Sequence, residues 1–243
     1  MKKPLFITMI MLLLVQGIKA QDKVSEFKIF DHVSAGLSLG TTGIDIDFAT
    51  PITEYVQVRA GYSFLPQITA KADVDYKSSG TYKQTKVEGK IKWGHFKLLF
   101  DVFPFKSSSF HATLGTYIGT SELLTAENLD PIVGIKSGEG LEIGDYIISP
   151  DENGIARASI KVNSFKPYVG VGIGRAVPRK RFGVSGDLGI MLWGSPKVYE
   201  KQTGNDVEVK SSDLGSNGGG VIKTISKVTV LPVLTVRITG RIL

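Results

Sequence analysis

The sequence has no cysteine, few histidines and only one long apolar run. Without cysteine, the chain has neither a disulfide framework nor a thiol for attachment of a lipoprotein lipid. Its three histidines, His32, His95 and His111, lie on separate segments without the spacing of metal ligands, so we predict no metal site. The formal net charge of +6 falls to +3 without the first 20 residues, which is too small to indicate a dedicated nucleic-acid-binding surface.

The apolar run is typical of a secretory signal. Lys2 and Lys3 precede LFITMIMLLLV at residues 5–15, and a small residue, Ala20, lies just before Gln21. An uncleaved anchor is the alternative, but 11 residues fall short of the roughly 20 that a spanning helix needs. We predict a signal peptide over residues 1–20 and a mature domain over residues 21–243. Its net charge is +3, because three of the six excess positive charges leave with the signal.

Glycine is abundant, with 28 residues, and alternates strictly in KPYVGVGIGR at residues 166–175. This G-x-G-x-G spacing differs from the G-x-G-x-x-G of dinucleotide-binding loops, and Pro178 follows where a helix would begin, so we predict no cofactor site. The period of two indicates a strand with valine and isoleucine on one face and glycine on the other. In a narrow barrel in lipid, the apolar side chains point outward and the small residues face the lumen.

The same alternation occurs in seven other segments, which makes eight strands in all. The seven are HVSAGLSLG (32–40), IDIDF (44–48), VQVRAGYSF (56–64), HFKLLFDVF (95–103), FHATLGTYIG (110–119), FGVSGDLGIML (182–192) and VLTVRITGRIL (233–243). No run of 18 apolar residues lies in the mature chain, so the pattern predicts an all-β fold, an eight-stranded antiparallel transmembrane β-barrel.

The connections between these segments alternate in length. Short periplasmic turns are predicted near 50–53, 104–108 and 178–180, and long extracellular loops over 65–88, 124–163 and 194–226. The count of eight requires residues 41–43 to form a surface turn, since a bulge there would leave seven strands. Two belts of aromatic residues are predicted at the membrane surfaces: Phe64, Trp93, Tyr168 and Trp193 at the outer end, and Phe103, Phe105, Phe110 and Phe182 at the periplasmic end.

Charged residues recur on the glycine face and are the candidate site. The predicted lumen network comprises Asp45, Asp47, Arg59, His95, Lys97, Asp101, His111, Asp187, Arg237 and Arg241. Simple hairpins centred on residues 52 and 106 would place Asp45 opposite Arg59, and Asp101 opposite His111. Isolated charges in a narrow interior are costly, so these groups are expected to pair and plug the lumen. A charged constriction that selects ions or small solutes is the alternative.

The segments GLSLGTTGIDIDFA, VQVRAGYSF, KPYVGVGIG and GVSGDLGIMLWGSPKV resemble the small outer-membrane β-barrel family, the OmpA-like and OmpX-like barrels. The resemblance implies a place in the cell outer membrane, with outer-membrane lipid, lipopolysaccharide and the barrel-assembly machinery as partners. Six lysines lie within residues 71–92, in and just after the first long loop, where they would meet either lipopolysaccharide phosphates or only solvent, and a surface ligand is the further partner considered for the loops. The chain departs from the family in ending on Leu243 rather than an aromatic residue. No peptidoglycan-binding domain follows the last predicted strand in this sequence, so we do not expect a cell-wall tether.

Four functions are compared with the sequence pattern. We expect a structural or surface-interaction protein and no enzyme, and a narrow channel is the runner-up. A lipid A deacylase uses a His-x-Ser pair with a nearby acid, for which the chain offers His111, Thr113 and Asp101, with threonine in the place of serine. A soluble periplasmic ligand-binding barrel would require the apolar face to point inward.

Overall fold

The computed structural model describes residues 32–134, 139–143, 146–202, 205–209 and 219–243; the predicted signal peptide lies outside them. The chain is almost entirely β-structure. Its strands are β1 (Ser34–Gly40), β2 (Gly43–Thr53), β3 (Val56–Ser78), β4 (Thr81–Val102), β5 (Phe110–Gly119), β6 (Glu122–Asn128), β7 (Leu141–Ile143), β8 (Tyr146–Ile148), β9 (Arg157–Lys161), β10 (Phe165–Ile173), β11 (Phe182–Leu192), β12 (Lys197–Gln202), β13 (Asn205–Val209) and β14 (Val230–Arg241). One helix, α1, spans Gly219–Ser226. Among the described residues, no helix is both long and apolar enough to cross a membrane.

Eight of the strands close into an antiparallel barrel, which confirms the predicted fold class. The order around the barrel is β1, β2, β3, β4, β5, β10, β11 and β14, and β14 pairs with β1 again. Gly40 pairs with Gly43, so residues 41–42 form a tight turn between two strands rather than a bulge. Gly43 has a φ of 99°, a left-handed conformation that favours glycine at this turn.

The two ends of the barrel differ. At the short end, Ser34 pairs with Arg241, and residues 54–55, 103–109 and 174–181 connect the strands. At the long end, residues 41–42 join β1 to β2, residues 79–80 join the long strands β3 and β4, and the other two connections carry additional strands.

The prediction of a long loop over residues 65–88 is wrong. β3 and β4 stay paired beyond the barrel, from Ile68 opposite Ile91 to Ser78 opposite Thr81. Ser79 and Gly80, with φ of 53° and 78°, close this hairpin. β6, β9, β12 and β13 continue the sheet from the outer half of β4, and β7 and β8 adjoin β3. We call this structure the extension sheet.

The extension sheet has a small apolar core of its own, separate from the barrel interior. Its buried members are Ile132, Leu141, Ile148, Ala156 and Ala158, against which Val74, Tyr76 and Val87 pack. This core packs the described strands of the extension sheet against one another.

The outside of the barrel is apolar on all eight strands. In β10, exposed and buried residues alternate along the whole strand, with Val169, Val171 and Ile173 outside. β5, β10, β11 and β14 contain 10, 9, 11 and 12 residues, about the length of a transmembrane strand.

The predicted aromatic belts are only partly right. Phe105, Phe110 and Phe182 are exposed at the short end. Tyr168 and Phe103 are instead buried inside the barrel, because each is in phase with the inward-facing residues of its strand.

Candidate functional site: the barrel interior

The structure places nine of the ten predicted lumen residues in the barrel interior. The buried residues are Asp45, Asp47, Arg59, His95, Lys97, Asp101, His111, Asp187 and Arg237. The tenth, Arg241, is half-buried at the short end, where its Nη1 lies 3.5 Å from the carbonyl oxygen of Arg179. Arg241 therefore belongs to the rim and not to the interior.

Inward-facing glycines make room for the large side chains of the interior. A Cβ atom at Gly36 would lie 2.3 Å from the Arg237 guanidinium, and one at Gly172 would lie 2.5 Å from Nε2 of His111. Gly170 and Gly189 pair across β10 and β11, and the Tyr168 hydroxyl lies over both. The alternating glycines of residues 166–175 thus make room for side chains from their own strand and from the neighbouring strands.

Arg59 is the centre of one ion-pair cluster. Its Nη1 and Nη2 donate to the two carboxylate oxygens of Asp187 at 3.0 Å each, and Nη2 also donates to Asp101 at 2.7 Å. The Thr113 hydroxyl donates to the same oxygen of Asp101 at 2.8 Å. His111 Nε2 lies 2.9 Å from Asp187, which therefore has three polar contacts.

Lys97 and Arg237 form a second cluster around two carboxylates. The Lys97 ammonium lies 3.1 Å from Asp45 and 2.9 Å from Asp47. Arg237 donates to Asp47 from Nε at 2.9 Å and from Nη2 at 2.6 Å, and from Nη1 to the carbonyl of Ala176 at 2.9 Å. Across the two clusters, three permanent cations and one histidine face four carboxylates.

The predicted hairpin registers are wrong, although the residues are correctly placed inside. Asp45 pairs with Ser63 on the neighbouring strand, and Arg59 pairs with Ala49, because the turn after β2 lies at residues 54–55 rather than 52. Asp101 is opposite Thr113 rather than His111. Asp101 lies on the neighbouring strand β4, two residues from the position directly opposite Arg59, whereas Asp187 on β11 reaches Arg59 across the lumen.

Sequence reasoning missed an apolar layer and a lysine in the lumen. Leu99, Tyr117, Tyr168, Met191 and Val233 form a buried cluster inside the barrel. Lys166 is also buried, and its ammonium donates to the Thr120 carbonyl at 2.9 Å. Lys166 is separated from the three glycines of KPYVGVGIGR by even numbers of residues, so it lies on the same face of the strand. This spacing would have predicted its place in the lumen.

The cavities described between these side chains are small. Two lumen cavities, one beside Asp45 and Arg59 and one beside His95 and Lys166, have volumes of only about 10 Å³ each. That is about the volume needed for a single water molecule.

The largest described cavity, about 370 Å³, is a groove between the barrel and the extension sheet. Its lining includes Tyr62, Phe64, Lys90, Lys92 and Leu124. The Lys90 ammonium donates hydrogen bonds to Glu127 and Glu88, and these bonds raise the pKa of Lys90.

The geometry does not support the deacylase or metal hypotheses. The Thr113 hydroxyl donates to Asp101 rather than to His111, so the histidine is not placed to accept its proton. Asp101, His111 and Asp187 bring donor atoms within 4.8 Å of one another. However, the Arg59 guanidinium already bonds to both carboxylates, and a metal ion would have to displace that cation.

No protein-family profile and no curated protein sequence matches the chain. Four chains of solved structures do, among them CarO2 and CarO. The crystal structure of CarO2 from Acinetobacter baumannii is 19% identical, with a TM-score of 0.52, and the match covers 88% of this chain and 99% of CarO2. The structure of CarO from the same organism is also 19% identical, with a TM-score of 0.51, covering 87% and 98%. The chain shares the fold of these barrels. At this identity, the likeness extends to the fold alone.

Proposed function

We propose that this protein is an integral outer-membrane barrel with a closed lumen, whose biochemical role is carried by the extension sheet at its long end. The observation that carries the proposal is the filled interior, in which buried ion pairs and an apolar layer leave cavities of about 10 Å³. Barrels of eight strands are generally narrow enough for side chains to fill.

The apolar exterior supports the membrane placement. Leu37, Phe96, Val171, Val184 and Val236 are each more than two-fifths exposed, and they come from five different strands. A continuous apolar band of this kind is expected against lipid and not against water. The beginning of β1 and the end of β14 both lie at the short end. We therefore assign that end to the periplasm and the long end to the cell surface.

An ordered extension sheet supports an interaction role at the long end. It has its own apolar core, and ion pairs such as Arg157–Asp151 at 2.7 Å tie its connections together. The groove beside Lys92 faces outward above the apolar band, where lipopolysaccharide would be the neighbouring molecule. We propose lipopolysaccharide and an unidentified surface ligand as the partners of this end, and the barrel-assembly machinery as a partner during insertion.

Single-channel recording tests the closed lumen. The mature protein is refolded in detergent, its mobility on a gel is compared with and without boiling to verify folding, and it is added to a planar bilayer. We expect a folded barrel that gives no discrete current steps. Reproducible openings whose conductance scales with salt would reject the closed form.

One observation favours the narrow channel as a second candidate. Ser38, Ser63, Ser185 and both ring nitrogens of His95 are buried polar groups without a hydrogen-bond partner among the described residues. Ser63 is opposite His95 on the adjacent strand, so these groups could hold water in a row. If a wet path existed there, wild-type protein would conduct, and His95→Leu would reduce the current. A silent wild type removes this candidate.

A further inference from the structure

The positive charge of the described protein is concentrated at the short end. Within the described residues, the long-end segments 65–94, 120–134, 139–143, 146–164, 193–202, 205–209 and 219–229 carry 12 basic and 13 acidic residues, so they nearly balance. The short-end turns and the end of β14 carry six basic residues, Lys106, Arg175, Arg179, Lys180, Arg181 and Arg241, against the single acid Glu54.

Most of this charge has no carboxylate partner. Glu54 pairs with Lys106. The arginines are held by carbonyl oxygens instead: Arg175 Nη2 donates to Lys106 at 2.7 Å and to Ser108 at 3.1 Å, and Arg179 Nη2 donates to the same Lys106 carbonyl. Each guanidinium has five N–H donors, so these bonds fix the position of the group and leave donors free.

The excess charge lies at the edge of the apolar band. Arg179, Lys180 and Arg181 are exposed, and the next residue, Phe182, is 72% exposed on the outer face of β11. Phe105 and Phe110, on the neighbouring connection and strand, are also exposed. Aromatic residues at the end of an apolar band mark the depth of the lipid headgroups, so the cations beside them lie where phosphates are found.

We propose that residues 179–181, supported by Arg175 and Arg241, form a binding site for the phosphate groups of anionic phospholipids in the leaflet at the short end. Guanidinium groups bind phosphate oxygens through paired, charge-assisted hydrogen bonds, and a basic cluster at a membrane surface attracts anionic lipid. The site anchors the barrel at a fixed depth. This inference rests on the membrane placement proposed above.

Electron spin resonance of spin-labelled lipids tests the site. The protein is reconstituted into phosphatidylcholine vesicles with a trace of spin-labelled phosphatidylglycerol or spin-labelled phosphatidylcholine, and the fraction of each lipid immobilised by the protein is measured. Both leaflets have the same composition, so the orientation of the barrel does not affect the result. We expect the protein to bind phosphatidylglycerol about fivefold more strongly than phosphatidylcholine. This factor corresponds to the attraction between one basic residue and an anionic headgroup. The preference should vanish in about 1 M salt, where the screening length is about 3 Å.

Two matched variants locate the site. The triple variant R179Q/K180Q/R181Q should lose the preference, while K83Q/K86Q/K223Q, which removes three exposed lysines at the long end, should keep it. Equal immobilisation of the two lipids by wild-type protein, or equal loss in both variants, would overturn the site while leaving the barrel in the membrane. Immobilisation of neither lipid would overturn the membrane placement and the site together.

Discussion

Replacing Arg59 by alanine is the sharpest test of how the interior is held together. The substitution removes two bonds of 3.0 Å to Asp187 and one of 2.7 Å to Asp101. Asp187 would keep only its contact with His111, and Asp101 only the bond from Thr113. Three bonds to charged groups are worth about 1.5–3 kcal/mol each, but water entering the vacated space recovers part of that sum. We expect the free energy of unfolding to fall by about 3–5 kcal/mol, the usual cost of leaving a buried charge unpaired.

The measurement is urea unfolding of the barrel in lipid vesicles, followed by the fluorescence of the two tryptophans. Lys83→Ala is the matched control, because Lys83 is an exposed cation for which the structure gives no ion pair, and it should change the stability by less than about 0.5 kcal/mol. Combining Arg59→Met with Asp101→Asn and Asp187→Asn should recover most of the loss. In that variant the two carboxylates that Arg59 neutralises are gone, so removal of the guanidinium no longer leaves them unpaired. A loss below about 1 kcal/mol in a folded Arg59→Ala barrel would refute this account of the interior.

Two further predictions concern the glycines and the extension sheet. Gly172→Ala should destabilise the barrel by about 1–3 kcal/mol in the same assay, because the new methyl group would lie 2.5 Å from His111; Gly89→Ala, whose Cβ would meet nothing closer than 3.8 Å, should not destabilise it. The hydrogen bond from the Ile155 amide lowers the pKa of Asp151 below its ordinary value of 3.8. Its stabilising effect is therefore complete above that value and is lost as the pH falls through the lower folded pKa. Hydrogen exchange should show protection of the Ile155 amide falling over that acid range, and Asp151→Asn, which does not titrate, should remove the pH dependence.

The sequence predicted the barrel well because the period of two decides which face each residue occupies. Once Val169 and Val171 point outward, Gly170 and Gly172 must face the lumen. The same rule places Tyr168 inside, yet its aromatic ring suggested an interface belt. The error came from giving residue type more weight than phase.

The extension hairpin was also readable in part. Residues 68–77, ITAKADVDYK, alternate between apolar and polar side chains, and the Ser79–Gly80 turn follows. The lysines and aspartates of this segment suggested a solvated loop. Its pairing with β4 and its contacts with the core of the extension sheet come from distant parts of the chain, which local patterns do not reveal.

The contact between Arg59 and Asp187 lay beyond any local pattern. A hairpin register relates neighbouring strands only, whereas Asp187 is 128 residues from Arg59 and reaches it across the lumen. Which charges meet across a barrel depends on strand tilt and stagger, and these are set by closure of all eight strands. The sequence can therefore name the inward charges without pairing them.

The glycines and the charged side chains of the interior depend on each other. Gly36 and Gly172 leave the space that Arg237 and His111 occupy, and those side chains in turn fill a lumen that bare glycine would leave open. A larger residue at either glycine would push a paired group away from its carboxylate. A smaller residue in place of Arg237 would remove a cation that is paired with Asp47. Between the described residues, a lumen filled in this mutual way leaves cavities of only about 10 Å³, which are too small for a solute. The proposed function therefore assigns recognition to the two ends, where the extension sheet and the exposed arginines lie.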